Sequence, residues 1–139
     1  MKLTRTAAYA VHALVYIAGQ DNGQPVVGHA AAAELRIPLG FFLRILVTLS
    51  RSGLLRSIQG PNGGYNLGKP AKTITLLDIL EAVEGPLMGH ADPASNPPGA
   101  LDEKLLEVIT AVTESVRKEF KRVTLADLAG GRKVASKQR

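Results

Sequence analysis

A chain of 139 residues, 45% hydrophobic and 21% charged, fits one folded domain with an appended element and excludes a disordered chain or two large domains. Cysteine and tryptophan are absent and aromatic residues make up 4%, which excludes disulfides, thiolate metal sites, cysteine nucleophiles and a base-stacking platform as the main activity. The net charge of +5 is unevenly placed: residues 1–70 hold seven basic side chains against two acidic ones and residues 71–139 hold ten of each, an asymmetry that suits a polyanionic partner.

From Thr4 to Gly19, Ala7, Val11, Leu14, Val15 and Ala18 recur at helical spacing, with Thr4 placed to cap the start and Gly19 before Asp21-Asn22-Gly23 to stop it. A short alanine-rich helix follows over 30–36. Ile37-Pro38 breaks it, because proline biases its predecessor out of the helical region while opening a new helix well. The third helix, Pro38 to Ser52, buries Phe42, Ile45, Leu46 and Leu49 at i, i+3, i+4 and i+7 and turns Gly40, Phe41, Arg44, Val47, Thr48 and Arg51 away from that stripe; Gly53 ends it. The period then changes. Residues 54–59 and 65–67 read as two short strands joined by Gly60-Pro61-Asn62-Gly63-Gly64. Three helices followed by a glycine-rich hairpin is the order of a winged helix-turn-helix.

Thr75 caps a further helix that runs to Glu84, with Asp78 at the capping-box position and Gly85-Pro86 as its end. Residues 86–100 are dense in proline and glycine and read as a flexible loop. From Leu101 to Val123, the apolar residues Leu105, Ile109, Val112, Val116, Phe120 and Val123 keep helical spacing. A helix of this length, about 33 Å, projects beyond a small winged domain, and its apolar seam calls for a partner, most simply a two-fold copy. The expected organisation is a winged-helix DNA-binding domain (1–85), the loop (86–100), a dimerisation helix with a terminal turn (101–129) and a disordered basic tail (130–139). The fold class is mainly α with a small β-hairpin. No apolar run approaches the roughly 18 residues of a membrane span and no signal-type cleavage site follows the N-terminus, so a cytoplasmic chain with no membrane partner is expected.

No catalytic constellation emerges, and the chain does not read as an enzyme. Gly63 to Lys69 matches G-x-x-x-x-G-K, but Pro70 stands where a phosphate-binding loop needs Ser or Thr and no amphipathic helix begins there. The histidines, His12, His29 and His90, are too scattered for a metal site; His12, beside the apolar stripe of the first helix, is expected to be partly buried and His29 exposed. The candidate site is instead a surface for double-stranded DNA. The third helix offers Leu39, Gly40, Phe41, Arg44 and Thr48 to the major groove, with Arg51 nearer the phosphates. Arg44 is the one side chain there able to make a bidentate contact to guanine, which implies modest direct readout and more affinity from phosphates and DNA shape. Gly60, Gly63 and Gly64 allow a tight wing tip to approach the duplex, and Ser57, Gln59, Asn62 and Tyr65 belong to the same wing. Arg56 and Lys69 are expected on phosphates, as are Lys2, Thr4 and Arg5 at the N-terminus. Leu105, Ile109, Val112, Val116 and Phe120 are expected to form the dimer interface.

The stretches MKLTRTAAYAVHALVYIA, IPLGFFLRILVTLSRSGLLRSIQGPNGGYNLGKP, ITLLDILEAVEGP and a late TLADL resemble the BadM/Rrf-two family of bacterial transcription regulators, whose branches include IscR-, NsrR- and CymR-like proteins. The most specific part is GLLRS-x-x-G-x-x-GGY-x-L-x-x-P over 53–70; the likeness is close over residues 1–85 and loose over 101–128. The resemblance implies a homodimer of winged-helix subunits, crossed by the long C-terminal helix, that binds imperfectly palindromic operators, here as a repressor. Sensing branches of the family hold a cluster through three cysteines in the loop after the AVEG helix. This loop has none, only His90 and Asp92, so a cysteine-ligated iron–sulfur cluster is excluded and no cofactor is expected. Some members add an acidic ligand near the start of the first helix, where this chain has Ala7-Ala8, and several carry a wing arginine where this chain has Gln59. The alternative reading is a protein-interaction or ligand-sensing module on the same scaffold, with a small-molecule or protein effector and DNA binding secondary.

Overall fold

The computed structural model describes residues 1–20 and 22–130, so the tail expected to be disordered lies, from residue 131 on, outside the described residues. Helix α1 (Arg5–Gly19) starts where Thr4 accepts from the Ala7 N–H at 3.1 Å, the expected cap. Its buried face is Ala7, Ala10 and Ala13 with Leu14 and Ile17, and the small residues allow later helices to pack closely on it. Helix α2 (Gly28–Leu35) begins earlier than the alanine run indicates. Gly28 lies under Leu43, Leu46 and Tyr65, and a Cβ there would sit 3.0 Å from Leu43 Cδ2. The turn into the next helix puts Arg36 in the left-handed region, φ 59°, while the Ile37 N–H bonds back to the Ala32 carbonyl at 3.0 Å. Helix α3 (Leu39–Arg51) buries Phe42, Ile45, Leu46 and Leu49, the set its spacing predicts.

Strands β1 (Leu55–Ile58) and β2 (Gly64–Leu67) pair antiparallel, from Leu55↔Leu67 to Ile58↔Gly64. Val26 joins them through an antiparallel bridge to Tyr65, with both N–H···O distances 2.9 Å. This explains two of the wing glycines without reference to DNA. A Cβ at Gly64 (φ 155°) would lie 2.4 Å from the Val26 carbonyl oxygen, and one at Gly63 would lie 2.1 Å from that of Ile58. Gly60, φ 105°, has open space around it. The residues resembling a phosphate-binding loop are thus strand and turn, followed by a 3-10 turn (Ala71–Thr73) rather than a helix.

Helix α4 (Leu76–Glu84) opens on the expected capping box: Thr75 Oγ1 accepts from the Asp78 N–H at 3.0 Å and Asp78 accepts from the Thr75 N–H at 2.9 Å. Helix α5 (Ala100–Lys121) has no fully buried residue. Its C-terminal turns rest on α4 with Val116 and Phe120 half-buried, whereas its opening turns stand bare. Helix α6 (Leu125–Ala129) then returns to the winged domain and packs on α1. Leu125 is fully buried beside Ile74, and two 2.8 Å hydrogen bonds, Leu76 N–H to Val123 O and Leu125 N–H to Ile74 O, tie the segments together. Among the described residues no helix is long and apolar enough to cross a membrane.

The loop before α5 is fastened by Asp102, which accepts from the Ala94 N–H (2.9 Å), the Gly99 N–H (3.0 Å) and the Ser95 hydroxyl (2.7 Å). These donors, the Ala94 amide foremost, hold its carboxyl at about 2 instead of the usual 3.8. A depressed folded-state pKa contributes stability above the unfolded value that is lost as pH falls through the folded one, here from about 3.8 down through about 2. The Ala94 and Gly99 amide NMR shifts are therefore expected to titrate with a midpoint near 2, and Asp102→Asn to remove the transition. A midpoint near 3.8 would show that this fastening does not form.

Candidate nucleic-acid interface

The outward side of α3 is positioned from α1. Tyr9 meets Phe41 edge-on, with centroids 5.4 Å apart at 71°, and the Arg44 guanidinium lies 5.7 Å from the Phe41 ring centroid. Phe41 thus leans Arg44 toward the start of α3. The Thr48 hydroxyl donates to the Arg44 carbonyl at 3.0 Å, so its donor is committed to its own helix. Leu39, Gly40, Arg44 and Arg51 are exposed, and Phe41 and Thr48 are half-buried. Lys2 and Arg5, both exposed, share a hollow with Phe41, which gathers N-terminal cations beside the start of α3. Thr4, expected on the duplex, uses its hydroxyl internally, accepting from Ala7 and donating to the Glu84 carboxylate.

On the wing, Arg56, Ser57, Gln59, Gly60 and Asn62 are exposed, as is Lys69 beyond β2. Gln59 Nε2 donates to Ser57 Oγ at 3.2 Å. Gly63, Gly64 and Tyr65 are half-buried, Tyr65 packing against the core. Among the described residues, none of Lys2, Arg5, Arg44, Arg51, Arg56 and Lys69 forms a salt bridge; the ion pairs lie elsewhere, at His90–Asp92, Arg117 with Glu81 and Glu114, and Arg122–Glu119. Six cations without carboxylate partners on α3, the wing and the N-terminus give this part of the protein a positive field.

Sequence reasoning missed Leu43, which is exposed on α3 between Leu39 and Val47; their i, i+4, i+8 spacing was the available signal. On α5 it found Leu105, Ile109 and Val112, all exposed, but not Leu101 and Val108. Leu101, Leu105, Val108 and Val112 form a bare row between 50% and 69% exposed. Val116 and Phe120 belong half to this seam and half to the contact with α4. His12 is exposed rather than partly buried, because Ala10, Ala13 and Leu14 take the inner face and turn position 12 outward. His29 is exposed as expected.

The loop after α4 is held by an ion pair between Glu81 and Arg117. The Leu87 N–H donates to Glu81 at 2.7 Å, and Arg117 donates to the Leu87 carbonyl at 3.0 Å. Farther along, His90 Nε2 lies 2.8 Å from Asp92 Oδ1, both side chains well exposed.

The Rrf2 family model, described as iron-dependent transcriptional regulator, matches residues 3–131. The chain is 36% identical over 137 residues to an HTH-type transcriptional regulator of Mycobacterium tuberculosis, covering 94% of this chain and 83% of that protein. It is 40% identical over 86 residues to the HTH-type transcriptional regulator IscR of Cereibacter sphaeroides, covering 60% of this chain and 56% of that one. Among solved structures it resembles CymR, the global cysteine regulator of B. subtilis (TM-score 0.77, 22% identity, 96% of this chain and 99% of that one). It also resembles IscR of T. potens (TM-score 0.72, 23% identity, 96% and 89%). These structures share the winged-helix fold with its long C-terminal helix. The iron in the family's description finds no fitting ligand set here. The chain has no cysteine, and among the described residues no three His, Asp or Glu side chains gather to hold a metal.

Proposed function

The chain belongs to the Rrf2 family of transcriptional regulators, DNA-binding proteins rather than enzymes, and from that premise we propose that it acts as a homodimeric repressor on a palindromic operator. The observation that carries this reading is the set of six exposed cations without carboxylate partners, among the described residues, on α3, the wing and the N-terminus. Each subunit lays α3 in the major groove, with Arg44 bidentate to a guanine and Leu39, Gly40, Phe41 and Thr48 against neighbouring base edges. Arg51, Arg56, Lys69, Lys2 and Arg5 neutralise phosphates, with Thr4 beside them. The wing, Ser57 and Gln59 through Gly60, Asn62, Gly63, Gly64 and Tyr65, lies along the adjacent backbone. Leu105, Ile109 and Val112 of α5 meet the same residues of a second copy, and Val116 and Phe120 carry the seam back to α4. A two-fold axis between subunits makes the operator palindromic, with half-sites about one helical turn apart. Repression is the action that occupancy alone provides, since a bound dimer excludes polymerase from the same duplex. The reading places the protein in the cytoplasm, with the DNA it binds.

Selection of duplexes from a random library by the purified protein tests this, followed by competition titrations on the recovered site. Arg44→Ala is expected to lose about 1–3 kcal/mol of discrimination at one base pair of each half-site. Failure to enrich any sequence at any salt concentration would refute the proposed function.

A further inference from the structure

Helix α3 turns a row of aliphatic side chains to solvent. Leu39, Leu43 and Val47 stand one above the other on the helix, between 37% and 46% exposed. Leu43 and Val47 line a shallow hollow of about 370 Å³ together with Arg44, Thr48 and Arg51. The hollow is bordered by cations without carboxylate partners, and α3 contains no acidic residue, so charge complementarity directs a polyanion onto it. The helix contains no asparagine, glutamine or carboxylate, so it can neither pair bidentately with adenine nor offer a carboxylate to cytosine N4. Thr48 has committed its donor to the Arg44 carbonyl. In a major groove, the feature left for aliphatic side chains to recognise is the 5-methyl group of thymine.

We propose that Leu43 and Val47, with Leu39 at the helix start, read thymine methyl groups, so that each half-site carries T·A pairs beside the guanine met by Arg44. This rests on α3 entering the major groove as set out above. It assigns sequence specificity to residues that a search for polar readers passes over. Each methyl taken out of water contributes about fourfold in affinity, and two methyls per half-site contribute on the order of a hundredfold for a dimer.

The test compares the selected duplex with the same duplex carrying deoxyuridine in place of thymidine within the half-sites, which removes only the methyl groups. Affinity is expected to fall on the order of a hundredfold for full replacement. Leu43→Ala and Val47→Ala are expected to weaken binding to the thymine duplex and to change binding to the uracil duplex little. Because the uracil duplex alters only the DNA, the test does not depend on how the variants fold. Equal affinity for both duplexes, with the selected site still preferred over scrambled DNA, would overturn the proposal while leaving the DNA-binding reading intact. That is also the result if another protein surface, and not DNA, covers Leu43 and Val47. No preferred sequence at all would overturn both.

Discussion

Leu105→Glu combined with Val112→Glu is expected to leave a folded monomer that no longer binds the operator. Both side chains are exposed in the single subunit and touch nothing its own core needs, so the double variant should keep the helical content and melting temperature of the parent. In a dimer the same positions face their counterparts across the two-fold axis, and the substitutions would bury like charges without partners. Each costs several kcal/mol unless paired, more than a standard interface can absorb. Separated subunits also lose the gain from linking two half-site contacts, worth about 10²–10⁴ in affinity. Sedimentation equilibrium should give twice the 14.7 kDa chain mass for the parent and 14.7 kDa for the variant, with operator affinity down by about 10²–10⁴-fold. A parent protein that sediments as a single chain would refute the dimer.

Operator affinity of the parent is expected to fall by about 10³–10⁵ between 50 mM and 200 mM salt. The physical cause is counterion release. Lys2, Arg5, Arg51, Arg56 and Lys69 have no internal carboxylate among the described residues, so binding DNA breaks no salt bridge and each phosphate contact frees condensed cations. With two subunits, six to ten such contacts give a slope of log affinity against log salt of roughly −5 to −9. Arg56→Ala removes one contact per subunit and should flatten the slope by about two while weakening selected and random duplexes alike. That separates it from Arg44→Ala, whose effect depends on sequence. A slope near zero, or one that Arg56→Ala leaves unchanged, would place the phosphates elsewhere.

Local chemistry made much of this protein legible in its sequence. Thr4 and Thr75 cap the starts of α1 and α4, Gly53 and Gly85 follow the ends of α3 and α4, and the spacing of Phe42, Ile45, Leu46 and Leu49 identified the buried face of α3. These features depend on residues within a turn or two of each other, which is the range that propensity and periodicity describe. The family motif at the hairpin was equally local. The outward positions of Arg44 and Arg51 followed from the same arithmetic, since whatever the inner stripe excludes faces solvent.

Tertiary structure decided what depends on distant segments meeting. Gly28 joins α2 because Leu43 and Tyr65 close over it, and Gly64 is required by Val26, which no local pattern links to the hairpin. Leu125 returns to the core because Ile74 offers its carbonyl, although the sequence groups it with the long helix. Leu43 and Val47 are as hydrophobic as the residues that α3 buries, and Leu43 packs one side on Gly28, yet no element covers the outer side of either. Hydrophobicity states how strongly a side chain gains from leaving water, but the assembled fold determines whether a neighbour is there to exclude it.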